Sequence, residues 1–341
     1  MRKIVQSILL SLFIIPTFAQ ETPFLNDAEI RMLINELSGD RSFEHIRVLT
    51  QWHRNSGMEG YFKAADYVVE EAKKAGLEDV KFIEQPLGGP NFTAKSAELW
   101  ITEPVEIKLA DIGDHALMLS DGSHDADVTA ELVWAGSGSK ADLDGLDVSG
   151  KIVLVNASPG AAVTNAVYAK GAVGVVCYTS SENKNQMDFP DQLAWTRISM
   201  NVPEGKQGTF AFNLSPRKGE QLKKMLQTNA MQDVFATGKK TMGGKVVLKA
   251  KVDTEIGEAP GRTGFVEGWI RGSKYHDQQI MITAHLQEEQ GSANDDGSGC
   301  GNLLEIARTL NKLIEEGKIE RPLRDIRFWW TDELYSEYRY F

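Results

Sequence analysis

Cysteine is nearly absent: Cys177 and Cys300 are the only two in 341 residues. Two thiols so far apart make neither a disulfide framework nor a thiolate zinc site. An excess of basic charge is missing as well. Thirty-seven Lys and Arg stand against 48 Asp and Glu, a net charge of −11. Such a balance lacks the basic stripe of a nucleic-acid surface, so no nucleic-acid partner is expected. It favours solubility and would suit bound metal or a cationic partner. No run past the N-terminus reaches the roughly 20 apolar residues of a bilayer crossing. Collagen-like and low-complexity tracts are absent, and 42% apolar with 25% charged residues is ordinary for a globular chain. At roughly 150 residues per domain, the length suggests about two domains.

What is present begins with Arg2-Lys3, an apolar run from Ile8 to Ile15, then Pro16-Thr17-Phe18-Ala19. A basic start, a short apolar core and a small residue read as a secretory signal peptide over residues 1–19. A membrane anchor would need a longer run. The mature protein is therefore expected to be secreted, periplasmic or extracellular, with no membrane insertion. Asn91-Phe92-Thr93, Asn156-Ala157-Ser158 and Asn213-Leu214-Ser215 fit the glycosylation pattern.

Apolar spacing predicts helices over 27–37 (opened by an acidic cap), 42–52 and 61–75, the last closed by Gly76, and then a strand over 80–83. Near residue 126 the character changes to short apolar strands at 131–135, 151–155, 171–178, 209–214 and 246–252. Ser215-Pro216 opens a helix to about Leu226. After Pro260, strands over 264–270, 280–284 and 326–330 bracket a helix over 298–314. Strand, loop, helix, strand is the rhythm of an α/β sheet. The expected division is 20–125 and 259–341 as two parts of one domain, interrupted by a β-rich block over 126–258.

The densest functional signal runs from His285 to Gly299. His285 follows an apolar strand of buried type, and ligands bind where strands of open α/β sheets end. Asp295 precedes a helix, whose dipole keeps it ionised. An imidazole nitrogen and a carboxylate oxygen are what zinc accepts. Read from residue types alone, a solvated acidic loop with Asp295 or Asp296 as a helix cap stands equally well. Asp332 and Glu333 follow a second apolar strand. A carboxylate base near bound metal would let water attack a peptide carbonyl, although a plain strand-end turn has the same composition.

Taken together these segments resemble the co-catalytic zinc exopeptidases, the family of secreted bacterial leucyl-type aminopeptidases and glutamate carboxypeptidase. The resemblance runs through His285, Ala293-Asn294-Asp295-Asp296-Gly297-Ser298-Gly299, Leu304-Glu305-Ile306-Ala307-Arg308 and Arg327-Phe328-Trp329-Trp330-Thr331-Asp332-Glu333. The helix from Gly60 to Tyr67 and Ala75-Gly76-Leu77 look like that family's opening. Leu143 to Val155 and Gly171 to Val176 are similar to a protease-associated domain, which members often carry as an insertion. The implied fold is α/β, a mixed sheet flanked by helices and incomplete at its C-terminus, with an inserted β-rich protease-associated domain. The resemblance implies a secreted exopeptidase with two zinc ions and a peptide substrate. His285 would bind one zinc, Asp295 would bridge both, and Glu333 would be the general base.

Three departures from the family pattern bear on this reading. Gln287 stands where the family has an Asp that orients the ligand His, and its amide oxygen would have to accept the ring N–H. Leu334 follows Glu333 where the family has a second, metal-binding Glu. An alternative register makes Asp332 the base and Glu333 the ligand. The chain stops at Phe341, before the family's further Asp and late His, and none of His45, His53, His115, His124 and His276 has the context to replace them. It therefore reads as a piece of a longer enzyme, expected to hold metal poorly and to leave the sheet around Trp329 and Trp330 open. A non-catalytic relative that binds peptide or protein, its ligands lost, is the rival from another class. An isolated protease-associated domain is a third reading, against which the 293–299 segment stands.

Overall fold

The computed structural model describes residues 26–179, 186–228, 231–238, 241–333 and 335–340. The expected signal peptide and Leu334 lie outside the described residues. The order of elements is α1 (Asp27–Glu36), α2 (Gly39–Leu49), α3 (Glu59–Lys74), β1 (Glu78–Pro86), β2 (Phe92–Glu103), β3 (Ile107–Asp111), β4 (Ala126–Trp134), β5 (Ile152–Val155), α4 (Pro159–Ala162), β6 (Gly174–Tyr178), β7 (Ala211–Leu214), α5 (Pro216–Gln227), β8 (Met231–Gln232), β9 (Thr241–Met242), β10 (Val247–Ile256), β11 (Arg262–Ile270), β12 (Tyr275–His285), α6 (Gly299–Glu315), β13 (Arg324–Thr331) and α7 (Tyr335–Tyr340).

Two sheets divide the strands. The smaller has the order β1-β11-β13-β12, and the larger β3-β2-β10-β4-β5-β6-β7. β1 pairs antiparallel with β11 although 175 residues lie between Pro86 and Arg262, and every strand of the larger sheet falls in that interval. The β-rich block is thus threaded into the smaller unit. It takes in β2 and β3, upstream of residue 126. β2 buries Ala97, Leu99 and Ile101 at alternate positions and pairs with β10 through Leu99↔Ala250. That alternation is the strand signature itself.

α1 opens on Asn26 rather than on an acidic cap. The Asn26 side chain accepts from the Glu29 amide and the Glu29 carboxylate accepts from the Asn26 amide, a reciprocal capping box. Gly76 closes α3 at φ +83, where a side chain would be strained, and a Cβ there would press on Asn311 at 3.3 Å. Asn311 Nδ2 in turn donates to the Ala75 carbonyl at 2.9 Å, which fixes α3 against α6.

The smaller sheet packs against α2, α3 and α6 over Leu49, Tyr61, Val68, Val266, Leu303 and Trp330. β13 lies between β11 and β12, and it is buried from Arg327 on except at the polar junction that follows. Trp330 faces the helices. Trp329 faces the opposite side and is covered too: Phe265 and Tyr340 stand at centroid distances of 5.2 Å, and Trp329 is 1% exposed. The apolar side of the sheet at the tryptophans is therefore closed by α7, not open. β12 differs from the buried strand that its apolar run suggests. It is the last strand of the sheet, and Ile280 is 51% exposed. Among the described residues no helix is long and apolar enough to cross a membrane.

Candidate metal centre

β12 and β13 run parallel, with His285 opposite Thr331 in the register. The pairing sets His285 two residues from Glu333 at the same, C-terminal edge of the sheet, where open α/β sheets hold ligands. His285 Nδ1 lies 3.0 Å from the main-chain carbonyl of Gln287. A carbonyl only accepts, so Nδ1 carries the proton and donates. Nε2 is left free, 3.1 Å from Asp295 Oδ1. A bare ring nitrogen and a carboxylate at that separation need a proton or a metal ion between them. Two ligands each about 2.0–2.1 Å from one tetrahedral zinc stand about 3.3 Å apart, so the pair fits that ion.

The two neighbouring aspartates have separate tasks. Asp296 accepts from the His285 amide at 3.1 Å and from the Gly299 amide at 3.0 Å. It ties the end of β12 to the start of α6 as a cap does. The Asp295 side chain stays 73% exposed and meets the imidazole.

Asp332 and Glu333 part in the same way. Asp332 is 1% exposed. One of its oxygens accepts from Ser56 Oγ at 2.7 Å and the other from Thr263 Oγ1. Burial pushes its carboxyl above the usual range. Glu333 is exposed at the rim, and its carboxylate belongs with His285 and Glu288 to a group whose ligand atoms all lie within 4.8 Å of one another.

Glu288 is the residue the sequence reading leaves out. Its carboxyl is pushed up to about 9, first by burial, then by its hydrogen bond with Glu289 and the charges of Glu289 and Asp295. Its backbone forms a two-way bridge with Arg54, whose amide donates to the Glu288 carbonyl at 2.9 Å while the Glu288 amide donates to the Arg54 carbonyl at 3.2 Å. The Arg54 guanidinium is fully buried and donates to the carbonyls of Leu286 (2.8 Å), Ser292 (3.0 Å), Glu289 (3.4 Å) and Leu49 (3.5 Å). A lone arginine in a polar segment of sequence carries no sign of this role; only the path of the 286–292 loop reveals it.

The Gln287 side chain takes up a partner other than the imidazole. Its Nε2 donates to Asn55 Oδ1 at 3.2 Å, and the task of orienting His285 falls to the Gln287 main chain. The other histidines that fall within the described residues are engaged elsewhere. His45 meets Tyr67 Oη at 2.8 Å, His53 meets Asp121 at 3.3 Å, His276 meets Asp325 at 3.2 Å and His124 meets the Met200 carbonyl at 3.2 Å. His115 accepts from the Leu117 amide.

Residues 266–333 match peptidase family M28, and residues 128–204 match the PA domain. The C-terminal part of the chain is thus similar to that peptidase family, and the PA match falls inside the block threaded between β1 and β11. The M28 match begins in β11 and ends on Glu333, so it takes in the whole cluster. Three solved structures share the fold. A peptidase M28 precursor from Shewanella amazonensis is 19% identical with a TM-score of 0.57, over 89% of this chain and 66% of that one. BSAP, a zinc aminopeptidase from Bacillus subtilis, is 21% identical with a TM-score of 0.52, over 86% and 61%. A putative peptidase from Clostridium acetobutylicum is 14% identical with a TM-score of 0.54, over 92% and 54%. The chain therefore spans less than two thirds of the length of each. A search of the curated proteins gives no match.

Proposed function

We propose that this chain is a zinc-dependent exopeptidase, an aminopeptidase that removes N-terminal residues from peptides and is exported by the signal peptide over residues 1–19. The observation that carries the reading is that His285 meets Asp295 and also stands within 4.8 Å of Glu333, with the His285 tautomer set for Nε2 to bind metal. His285 and Asp295 would hold the ion, and a second ion would share Asp295 as bridge. Zinc bound there supplies Lewis-acid polarisation of a carbonyl and lowers the pKa of water. The chain's own contribution is the base. Glu333, open at the rim, is placed to take a proton from the attacking water and pass it to the leaving amine. Asp332 is a poor base by comparison, because both of its oxygens are held by the Ser56 and Thr263 hydroxyls. The match of residues 266–333 to a peptidase family and the fold shared with an aminopeptidase support this assignment.

The test joins turnover to metal content. Zinc-loaded protein is expected to cleave aminoacyl p-nitroanilides. Glu333→Gln should keep its zinc and lose turnover by at least about a hundredfold, the usual worth of a positioned general base, while Asp332→Asn should retain most of it. The reverse order of the two variants would make Asp332 the base. A second reading, a peptide-binding relative without turnover, is favoured by one observation: Gln287, neutral and bonded to Asn55, brings no charge to the imidazole. Zinc binding without cleavage of any aminoacyl reporter would put that reading in place of the first.

A further inference from the structure

His285, Glu288 and Glu333 each offer a ligand atom within 4.8 Å of the other two. The first two can share one cation while the third stands beside it. We propose that Glu288 is a metal ligand of this protein, joining His285 and Asp295 on one zinc ion next to Glu333, so that every side chain of the site comes from residues 285–333. The proposal rests on the zinc-peptidase reading above and adds a ligand to it.

Three features of the loop place the carboxylate. The two-way backbone bridge between Arg54 and Glu288 fixes where its main chain lies. The Arg54 guanidinium pins the loop on both sides of it, through the carbonyls of Leu286, Glu289 and Ser292. His285, three residues earlier, is locked by its own bond to Gln287. An imidazole and carboxylates are oxygen and nitrogen donors suited to zinc, and ligands held before the ion arrives lose little freedom on binding it. Sequence alone gives poor metal occupancy for these residues, because it counts two or three family ligands as missing, the position of Leu334 among them. Glu288 supplies a carboxylate at the same ion from the other strand end.

Zinc affinity of the metal-stripped full chain, measured by competition with a chromogenic chelator, tests this apart from any turnover. Glu288→Gln keeps the shape and removes the charge, and is expected to weaken zinc at least tenfold, the lower bound seen even for outer partners of ligands. Glu44→Gln, a change at an exposed side chain paired only with Arg47, should bind as the parent does. Visible spectra of the cobalt-loaded proteins give a second readout, and the bands of Glu288→Gln should shift in position and intensity. Parent-like affinity and unchanged cobalt bands in Glu288→Gln, with affinity lost in His285→Ala, would overturn the role of Glu288 and leave the metal centre standing. Zinc binding that survives His285→Ala, or is absent from the parent, would overturn the centre and with it this ligand.

Discussion

Arg54 contributes no ligand atom, yet it decides where three of the loop's carbonyls point. It donates to Leu286, Glu289 and Ser292 from inside the fold, and burial lowers its pKa against the pull of Glu288, Glu289 and Asp296 nearby. Removing it leaves several buried carbonyls without a donor, at about 1–3 kcal/mol each for the well-made bonds. Arg54→Ala is expected to destabilise the protein by about 3 kcal/mol and to weaken zinc along with it, as followed by urea denaturation and chelator competition. Arg54→Lys should recover only part of both, since a single ammonium cannot span the fork of acceptors. An unchanged denaturation midpoint in Arg54→Ala would refute the clamp. The same residue shows what a sequence conceals at this scale. Asp295 and Asp296 are adjacent and alike on paper, as are Asp332 and Glu333, and Glu288 stands among acidic neighbours. Their tasks separate only when the backbone turns one carboxylate toward the imidazole and another toward an amide or a hydroxyl.

At the scale of elements, α1 has no buried residue and is held to α6 by charge. Glu36 accepts from Lys312 at 2.8 Å and from Arg308 at 2.7 Å. Those two hydrogen bonds, Lys312 first, lower its carboxyl from about 4.5 to about 2. A lowered carboxylate contributes stability that is complete above about 4.5 and fades as pH falls toward 2. Hydrogen exchange of the 27–36 amides should therefore quicken as pH drops through that window, after correction for intrinsic rates. Glu36→Gln should show the quickened exchange already at neutral pH and little further change on acidification. The three groups are only partly buried, so added salt should act in the same direction as the mutation, and protection that is indifferent to both would refute the ionic tether. Most elements were legible from periodicity: α3, α5, α6 and β13 lie within a few residues of where their apolar spacing predicts. β2 and β3 were not foreseen, although Ala97, Leu99 and Ile101 alternate as a strand should. Ser96, Glu98 and Trp100 on the other side mask the pattern with mixed polarity. β12 was read as buried because an apolar run does not say how many neighbours a strand has.

For the whole molecule, the question is whether the inserted PA-containing unit only shapes access or also reaches the metal centre. Asp121, between β3 and β4, accepts from Trp195 Nε1 at 2.7 Å within its own unit. From the M28 side it accepts from Asn55 Nδ2 at 2.9 Å and from His53 Nε2 at 3.3 Å. Asn55 holds the Gln287 side chain, and the Gln287 carbonyl holds the His285 ring. His53 accepts the Gln290 amide at 3.2 Å through Nδ1, so its proton is on Nε2, facing Asp121. One carboxylate of the insertion thus fixes both ends of the loop that bears Glu288. A cavity of about 320 Å³ opens beside this contact, lined by Trp52, Phe92, Lys95 and Gln290, and none of His285, Glu288 or Glu333 lines it. The junction therefore acts on the centre through the loop and not through a shared wall. Asp121→Ala should leave the larger sheet folded, because the backbone bonds of Asp121 to Thr196 and Ile198 do not involve the side chain. It should weaken zinc about tenfold, as loss of a partner behind a ligand does, and quicken amide exchange at Glu288 and Gln290. Asp121→Asn, which keeps an acceptor oxygen, should fall between. Zinc affinity and loop exchange equal to the parent's in Asp121→Ala would mean that the two units touch without the insertion positioning the metal loop.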